Sequence, residues 1–406
     1  MKLIRYIHPV GQGAFYTEQF FDDNSNRIAT VVYDCGTSTN KAGIEREIRD
    51  TFKLGEEIDY LFISHFHNDH INGIEELKKQ THIKSVVIPL YNDFDRLMYL
   101  ATIATEEERS FNKLAKLILN PEDYFNEKTI FNGQRGKRQE DEITEVIQIK
   151  PLGANTVSSS NGNQEIRESG TIITNSLYED SSQRSYKWEY VPFNIYHEEK
   201  KELFQKECQI RQLKINDINQ FIKIKANRDE LKKIYKKLFG GKSINESSMM
   251  VYSGLNDVDP EGNHCHNACL YTGDATFNAQ LLNQMQQFWD TKIKNITMFQ
   301  IPHHASKMSF DLGIIEILKQ TQPYLVLFTS CGNNNTYGHP SPYVITQCNL
   351  FLTNHAKAQK PHAQSIDIIT CQRVKIITES KDSMLVLQYE INNNNNTDYY
   401  ETNKII

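Results

Sequence analysis

No stretch of the 406-residue chain approaches the ~18 consecutive apolar residues that a membrane-crossing helix needs. The opening Met1-Lys2-Leu3-Ile4-Arg5-Tyr6-Ile7-His8-Pro9 lacks the apolar core of a signal peptide and reads as a strand. Basic excess is missing too. The 45 Lys and Arg against 51 Asp and Glu leave a net charge of −6, so no global footprint for a polyanion exists. Contact with DNA or RNA would have to come from local patches or bound cations. Seven scattered cysteines, an odd number, do not make a disulfide framework and point to a reducing compartment, with the cytoplasm as the expected location. No repeat at a solenoid period is present. Hydrophobic residues, at 39%, are somewhat scarce but sufficient for a sizeable core. The length allows one large α/β domain with an insertion, or two smaller domains.

What the chain has instead is a concentration of ligand-type side chains. His65-Phe66-His67-Asn68-Asp69-His70 follows Ile58-Asp59-Tyr60-Leu61-Phe62-Ile63-Ser64, a short apolar run that reads as a buried strand. Side chains two apart in an extended segment point the same way, so His65 and His67 can grip one ion together. Asp69 and His70 then turn toward a second. Surface polarity in a loop is the bland alternative, but three histidines and an aspartate in six residues after a hydrophobic strand favour a metal site.

Both ends of the chain mix strands and helices. Strands are expected at Lys2–Val10, Ala14–Phe21 and Ile28–Tyr33, the last stopping at the polar Asp34-Cys35-Gly36-Thr37, and again at Ile83–Pro89. Helical periodicity marks Lys41–Phe52 and Glu106–Leu119. From about Asn120 to Ser243 the pattern loosens, with strands expected at Glu145–Lys150 and Trp188–Tyr196 and helices at Glu198–Cys208, Ile215–Phe221 and Arg228–Phe239. Regularity returns with strands near Ser247–Ser253, Ala268–Thr272, Ile296–Ile301, Tyr324–Thr329, Ile366–Thr370, Val374–Thr378 and Met384–Ile391. The pattern predicts an α/β (α+β layered) domain over 1–390, with 91–244 as an insertion elaborating the rim of the site. An Asn-rich tail over 391–406 is expected to be disordered.

Three later pieces carry chemistry. Leu270-Tyr271-Thr272-Gly273-Asp274 ends a strand in a carboxylate that can bridge two cations, Ile301-Pro302-His303-His304-Ala305-Ser306 delivers adjacent histidines, and Tyr337-Gly338-His339-Pro340 adds one more. Each alone has an ordinary explanation as a turn or a solvated histidine. Their joint occurrence after strands is what lifts them.

The His-x-His-x-Asp-His stretch, with Asp34-Cys35-Gly36 before it and Thr272-Gly273-Asp274 after it, resembles the metallo-β-lactamase superfamily. Pro302-His303-His304-Ala305-Ser306, Tyr337-Gly338-His339-Pro340 and Asn245-Glu246-Ser247-Ser248 are similar to motifs in the hydrolase domain of ComEC-type competence proteins. The resemblance covers 1–90 and 245–390. It implies an αββα sandwich with two divalent cations, Zn²⁺ or Mn²⁺, at one edge. His65 and His67 would hold the first ion, Asp69 and His70 the second, and Asp274 would bridge. One of His303 and His304 would complete the second site, with His304 favoured as ligand and His303 as a substrate contact. Asp69, His303 and His339 would be the catalytic groups, and Asp34 would orient a histidine ligand. The superfamily's usual further histidine has no clear counterpart, His82 and His197 being weak candidates, and Ala305 stands where a glycine is usual.

The activity so implied is metal-dependent hydrolysis through a dinuclear, metal-activated water, on phosphodiesters such as DNA, RNA or a small phosphoester. Alternatives are a small ester, lactone or phosphocholine-like substrate, or a non-catalytic, metal-stabilised binding or regulatory module. No membrane partner is expected, and protein partners stay open. His264-Cys265-His266 with Cys269 reads as a hairpin loop before an accessory zinc site. Lys232, Lys233, Lys236 and Lys237 read as a solvated helix face before a phosphate guide, to which Arg135, Lys137 and Arg138 would add. Trp188, Tyr190 and Phe193 read as strand core and not as a base-stacking platform.

Overall fold

The computed structural model describes residues 2–22, 24–127, 143–152, 165–179, 185–195, 198–239, 248–255, 268–289, 292–321, 325–332, 335–359, 369–370, 373–381, 384–392 and 400–405. Two sheets lie face to face. The first holds, in spatial order, β17 (Tyr400–Ile405), β16 (Met384–Asn392), β15 (Arg373–Lys381), β1 (Lys2–Ile7), β2 (Gly13–Phe21), β3 (Arg27–Thr37), β4 (Glu56–Phe62), β5 (Thr81–Pro89), β6 (Glu145–Lys150) and β7 (Glu165–Glu168). The second runs β14 (Ile369–Thr370), β13 (Val326–Thr329), β12 (Ile296–Gln300), β11 (Ala268–Tyr271), β10 (Met250–Leu255), β9 (Ser185–Phe193) and β8 (Ile173–Glu179).

Side-chain alternation builds the layers. Val31, Tyr33, Phe62 and Val87 of the first sheet meet Trp188, Tyr190, Val251, Tyr271 and Phe328 of the second in the central core. The intervening residues face outward. Val32, Leu61 and Val86 pack under α1 (Lys41–Thr51), α3 (Ile74–Gln80), α4 (Asp93–Thr102), α5 (Glu108–Leu119) and α6 (Pro121–Phe125). On the opposite side Met250, Leu270, Phe299 and Leu327 pack under α10 (Ala279–Trp289), α11 (Gly313–Leu318) and α12 (Pro342–Gln359). The result is the αββα sandwich that the motifs implied.

Residues 91–244 do more than line a rim. They supply β6 and β7 to the first sheet and β8 and β9 to the second, and α7 (Glu198–Ile210), α8 (Ile218–Phe221) and α9 (Lys225–Phe239) join the same outer core as Ile44 and Leu61 through Phe204, Phe221, Leu231 and Ile234. Trp188 and Tyr190 enter the central core while Val191 and Phe193 enter the outer one, as a strand buried on both faces requires. On α9, Lys233 pairs with Glu230 and Lys237 with Glu207, which fits a solvated helix face.

Some boundaries moved. β3 continues through Asp34 to Thr37 because a register shift between Phe15 and Tyr16 of β2 absorbs the left-handed Asp34, so the polar stop is not a strand end. The helix α4, the strands β7 and β8 and the short α2 (Asn68–Ile71) inside the hexad were not expected from the pattern. In the tail, 393–399 lies outside the described residues, whereas 400–405 pairs with β16. Arg135, Lys137, Arg138, His197, His264–His266 and Asn245–Ser247 also lie outside the described residues. Among the described residues no helix is long and apolar enough to cross a membrane.

Candidate metal centre

The parallel pairs β3–β4 and β11–β12–β13 place five strand ends at one edge of the sandwich. Polar groups gather there because the ladder ends and the layered core opens. β3 brings Asp34, β4 leads into the hexad, β11 into Asp274, β12 into His303 and His304, and β13 into Ser330. Two glycines permit the approach. A Cβ on Gly36 would lie 2.5 Å from the backbone between Asp69 and His70, and one on Gly273, which is left-handed at φ +54°, would meet Ser64 at 2.8 Å.

Three imidazoles are anchored by Nδ1 and turn Nε2 inward. His70 Nδ1 donates to Asp34 Oδ2 at 2.8 Å, and His304 Nδ1 donates to the Ser330 carbonyl at 2.7 Å. His65 Nδ1 lies 2.9 Å from Ser64 Oγ and 3.0 Å from Ser248 Oγ. Ser64 uses its own proton on Asp34 Oδ2 at 2.7 Å, so its oxygen is left to accept from His65. The inward nitrogens converge on carboxylates. His70 Nε2 is 3.1 Å and His304 Nε2 3.6 Å from Asp274 Oδ1, His65 Nε2 is 3.8 Å from Asp274 Oδ2, and His304 Nε2 is 3.3 Å from Asp69 Oδ2. His67 Nδ1 stands 3.0 Å from His65 Nε2. Among the described residues, neither His70 Nε2 nor His304 Nε2 has a partner other than these carboxylates, and both are buried.

The ligand atoms fall into two overlapping groups, His65–His70–Asp274 and Asp69–His70–His304, each with all atoms within 4.8 Å of one another. Asp274 turns one oxygen to each side. His70 is shared, whereas the sequence placed it at the second ion alone. His67 lies outside both groups and beside the first.

Electrostatics point the same way. Burial opposes charge on His70, but Asp274, Asp34 and Asp69 outweigh it and hold its pKa well above the usual value. His304 is raised in the same manner, against burial, by Asp274 and Asp69. Burial and the neighbouring His70 and His67 push His65 well down. Asp274 sits well below the carboxylate range, burial being overcome by His70, His303 and His304. Buried imidazole nitrogens and carboxylates facing one another at these distances are a donor set for a cation, which would displace the protons that the carboxylates hold there.

His303 and His304 sit in a turn of three consecutive left-handed residues, His303, His304 and Ala305, at φ 49°, 54° and 59°. Such conformations cost non-glycine residues on the order of 1–3 kcal/mol each and persist only where their surroundings fix them. Here His303 N donates to the Gly273 carbonyl at 3.1 Å, and Ser341 N donates to the Ala305 carbonyl at 2.9 Å. His303 bonds Ser309 Oγ at 2.6 Å through Nδ1, its Nε2 is 3.7 Å from Asp274, and burial lowers it to about 4. His339 lies beyond, its ring 5.6 Å from that of His303, with Nδ1 held at 3.2 Å by the amide of Gln12.

The sequence missed several supporting groups. Ser64 and Ser330 follow strands without a motif of their own, and Gln12 falls between the strands expected at Lys2–Val10 and Ala14–Phe21. Tyr99 of the unanticipated α4 packs edge-on against His67 at 5.4 Å. Of the candidates for a further histidine, His82 lies in β5 at a Thr81–Pro89 position paired with Glu57, on the far side of that strand from its site end.

Residues 28–149 match the family model described as the metallo-beta-lactamase superfamily. That match carries Asp34 and the whole hexad. The chain is 34% identical over 74 residues to the anti-Pycsar protein Apyc1 of Paenibacillus sp. (strain J14), a span of 18% of this chain and 28% of that protein. The alignment thus covers little more than a quarter of the curated relative's length. Among solved structures, unliganded yeast PDE1 aligns over 91% of this chain and 97% of its own, at 9% identity and a TM-score of 0.37. The metallo-β-lactamase MIM-1 from Novosphingobium pentaromativorans aligns over 89% and 82%, at 11% identity and a TM-score of 0.26. The match is to the superfamily, and nothing in it selects the competence-type subgroup.

Proposed function

We propose that this chain is a metal-dependent hydrolase of phosphodiester bonds, with a nucleotide or nucleic acid as substrate. The observation that carries the reading is the convergence of three Nδ1-anchored imidazoles, His65, His70 and His304, on the carboxylates of Asp69 and Asp274. The superfamily match over 28–149 supports hydrolysis.

In this reading His65 and Asp274, with His67 beside them, would hold one divalent cation, and Asp69 and His304 a second, His70 belonging to both ligand groups. Imidazole and carboxylate donors suit Zn²⁺ or Mn²⁺. When bound, such a pair would supply Lewis acidity toward a phosphoryl oxygen and toward a water, whose pKa it would lower toward ~7. The chain's own residues do the rest. Asp69 is the more exposed of the two carboxylates and is the group placed to take a proton from the attacking water. Gln12 donates its amide proton to His339 Nδ1, which leaves the His339 proton on Nε2 for the departing oxygen. His303, neutral at pH 7, offers a hydrogen bond to the substrate.

The test is a substrate panel. Protein loaded with Zn²⁺ or Mn²⁺ is incubated with plasmid, single-stranded DNA and bis-p-nitrophenyl phosphate, and bound metal is measured by mass spectrometry. Cleavage of at least one, lost with chelator and in Asp69→Ala and Asp274→Ala, is expected. Turnover of p-nitrophenyl acetate with none of the three cleaved would overturn the phosphodiester assignment.

A further inference from the structure

We infer that Tyr337 is a stacking platform for the heteroaromatic base of a nucleotide-type phosphodiester, and so a specificity-determining residue. This rests on the phosphodiester reading above and deepens it.

The argument starts from a row of rings. His304, buried beside the two carboxylates, stacks with His339 at 6.1 Å and 28° between planes, and His339 stacks in turn with Tyr337 at 6.0 Å and 27°. The row therefore leads from the candidate metal centre to the surface in near-parallel planes. It ends in a ring that is 65% exposed. A tyrosine body in water forgoes burial unless something covers it.

The ring is also held in place. Asn335 Oδ1 accepts from the backbone N–H of Tyr337 at 3.0 Å and of His339 at 3.1 Å, while Asn335 Nδ2 donates to the carbonyls of Gly332 and His339. One side chain thus ties four backbone groups of the turn. The same turn is joined to the His303–Ala305 segment through Ser341 N and the Ala305 carbonyl. The backbone that carries Tyr337 is thus fixed relative to the reacting centre, and its ring rests on that of His339, which lowers the ordering entropy that stacking on it costs.

A planar, polarisable group of a nucleobase's size fits this platform, because every base has a π-face and needs no matched hydrogen bonds to use it. The phosphodiester would lie at the carboxylates and histidines, and its nucleoside would extend along the His339–Tyr337 row.

The test compares two esters that share a leaving group, thymidine 5′-p-nitrophenyl phosphate and methyl p-nitrophenyl phosphate. With Tyr337→Ala, KM for the nucleoside ester should rise about tenfold and kcat should hold, while KM for the methyl ester is unchanged. Tyr337→Phe should behave as the parent. Calorimetry on the metal-loaded protein should show the same loss of affinity in Tyr337→Ala for thymidine 5′-monophosphate and none for inorganic phosphate. An unchanged ratio of the two KM values, with both esters cleaved, would overturn the stacking platform and leave the phosphodiester reading intact. If the parent cleaves neither these esters nor any phosphodiester of the panel above, the phosphodiester reading itself fails and the platform falls with it; if it cleaves only the panel, unchanged affinity for thymidine 5′-monophosphate in Tyr337→Ala overturns the platform alone.

Discussion

Asp34 accepts the Nδ1 proton of His70 at 2.8 Å, and in doing so decides that Nε2, the nitrogen facing Asp274, is the one that can give up its proton to a cation. Asp34 is in turn fixed by Ser64, whose backbone N–H donates to Oδ1 and whose hydroxyl donates to Oδ2, both at 2.7 Å. In Asp34→Asn the amide oxygen would stay with the Ser64 N–H, which turns the NH₂ group toward His70 Nδ1. That nitrogen must then accept, and the His70 proton moves to Nε2, between the ring and Asp274. The left-handed backbone at φ 54° tolerates asparagine, so the fold should survive. Affinity for Zn²⁺ or Mn²⁺ is expected to fall about 10- to 100-fold in competition with a chromophoric chelator. Unchanged affinity would mean that Asp34 does not set the tautomer.

Metal stoichiometry separates the two halves of the site. Asp69 and His304 belong to one ligand group, His65 to the other, while Asp274 turns an oxygen toward each. Asp69→Ala and His65→Ala should each leave about one ion where the parent binds two, and Asp274→Ala should bind less than one. Equal loss in all three variants would point to a single ion instead of a pair.

Proton linkage gives the metal-free protein a pH signature. His70 and His304 are raised by carboxylates that outweigh burial, so their contribution to stability is full below the unfolded histidine value of ~6.5 and is lost as pH rises through the raised values. Asp69 and Asp274 are depressed, so theirs is present above the unfolded value of ~3.9 and is lost as pH falls. The melting temperature of the chelated protein should therefore decline from pH 7 to 9, less steeply in His304→Gln, and metal uptake at pH 7 should release protons. Calorimetry in buffers of different ionisation enthalpy counts them. A flat melting temperature in parent and variant alike would remove the linkage.

The layered fold was legible because β3, β4, β10 and β11 are short apolar runs with two buried faces, and the hexad was legible because ligand-type residues are rare immediately after such runs. What the sequence hid were the groups whose role is set by tertiary contact. Ser330 and Gln12 reach their histidines, and Ser64 reaches Asp34, only when separate strand ends meet at one edge. The sharing of His70 between two ligand groups was equally hidden, since the one-turn α2 rotates it away from the alternation that pairs His65 with His67. Within 91–244 the strands β6 and β9 were legible, whereas β7 and β8 were not, because they have little hydrophobic periodicity of their own and gain their place from pairing with β6 and β9.

Between the sheets, far from the histidines in sequence, Glu18 collects a buried network. Arg5 Nε donates to it at 2.7 Å, Tyr190 at 2.8 Å and Tyr271 at 3.1 Å, and Ser253 donates from Oγ while accepting from Trp188 Nε1 at 3.0 Å. Arg5 and Glu18 are only 1% and 2% exposed. Burying both ions carries a desolvation cost that their attraction and these hydrogen bonds offset, so replacing the pair together with apolar side chains need not destabilise. Removing one partner is different. Glu18→Ala leaves the Arg5 guanidinium inside the sandwich without its carboxylate and should cost about 3–5 kcal/mol in urea unfolding. Arg5→Met with Glu18→Leu should recover most of that loss, because neither charge of the pair then remains. A double variant as unstable as Glu18→Ala alone would show that the network, and not the stranded charge, sets the stability of the sheet interface.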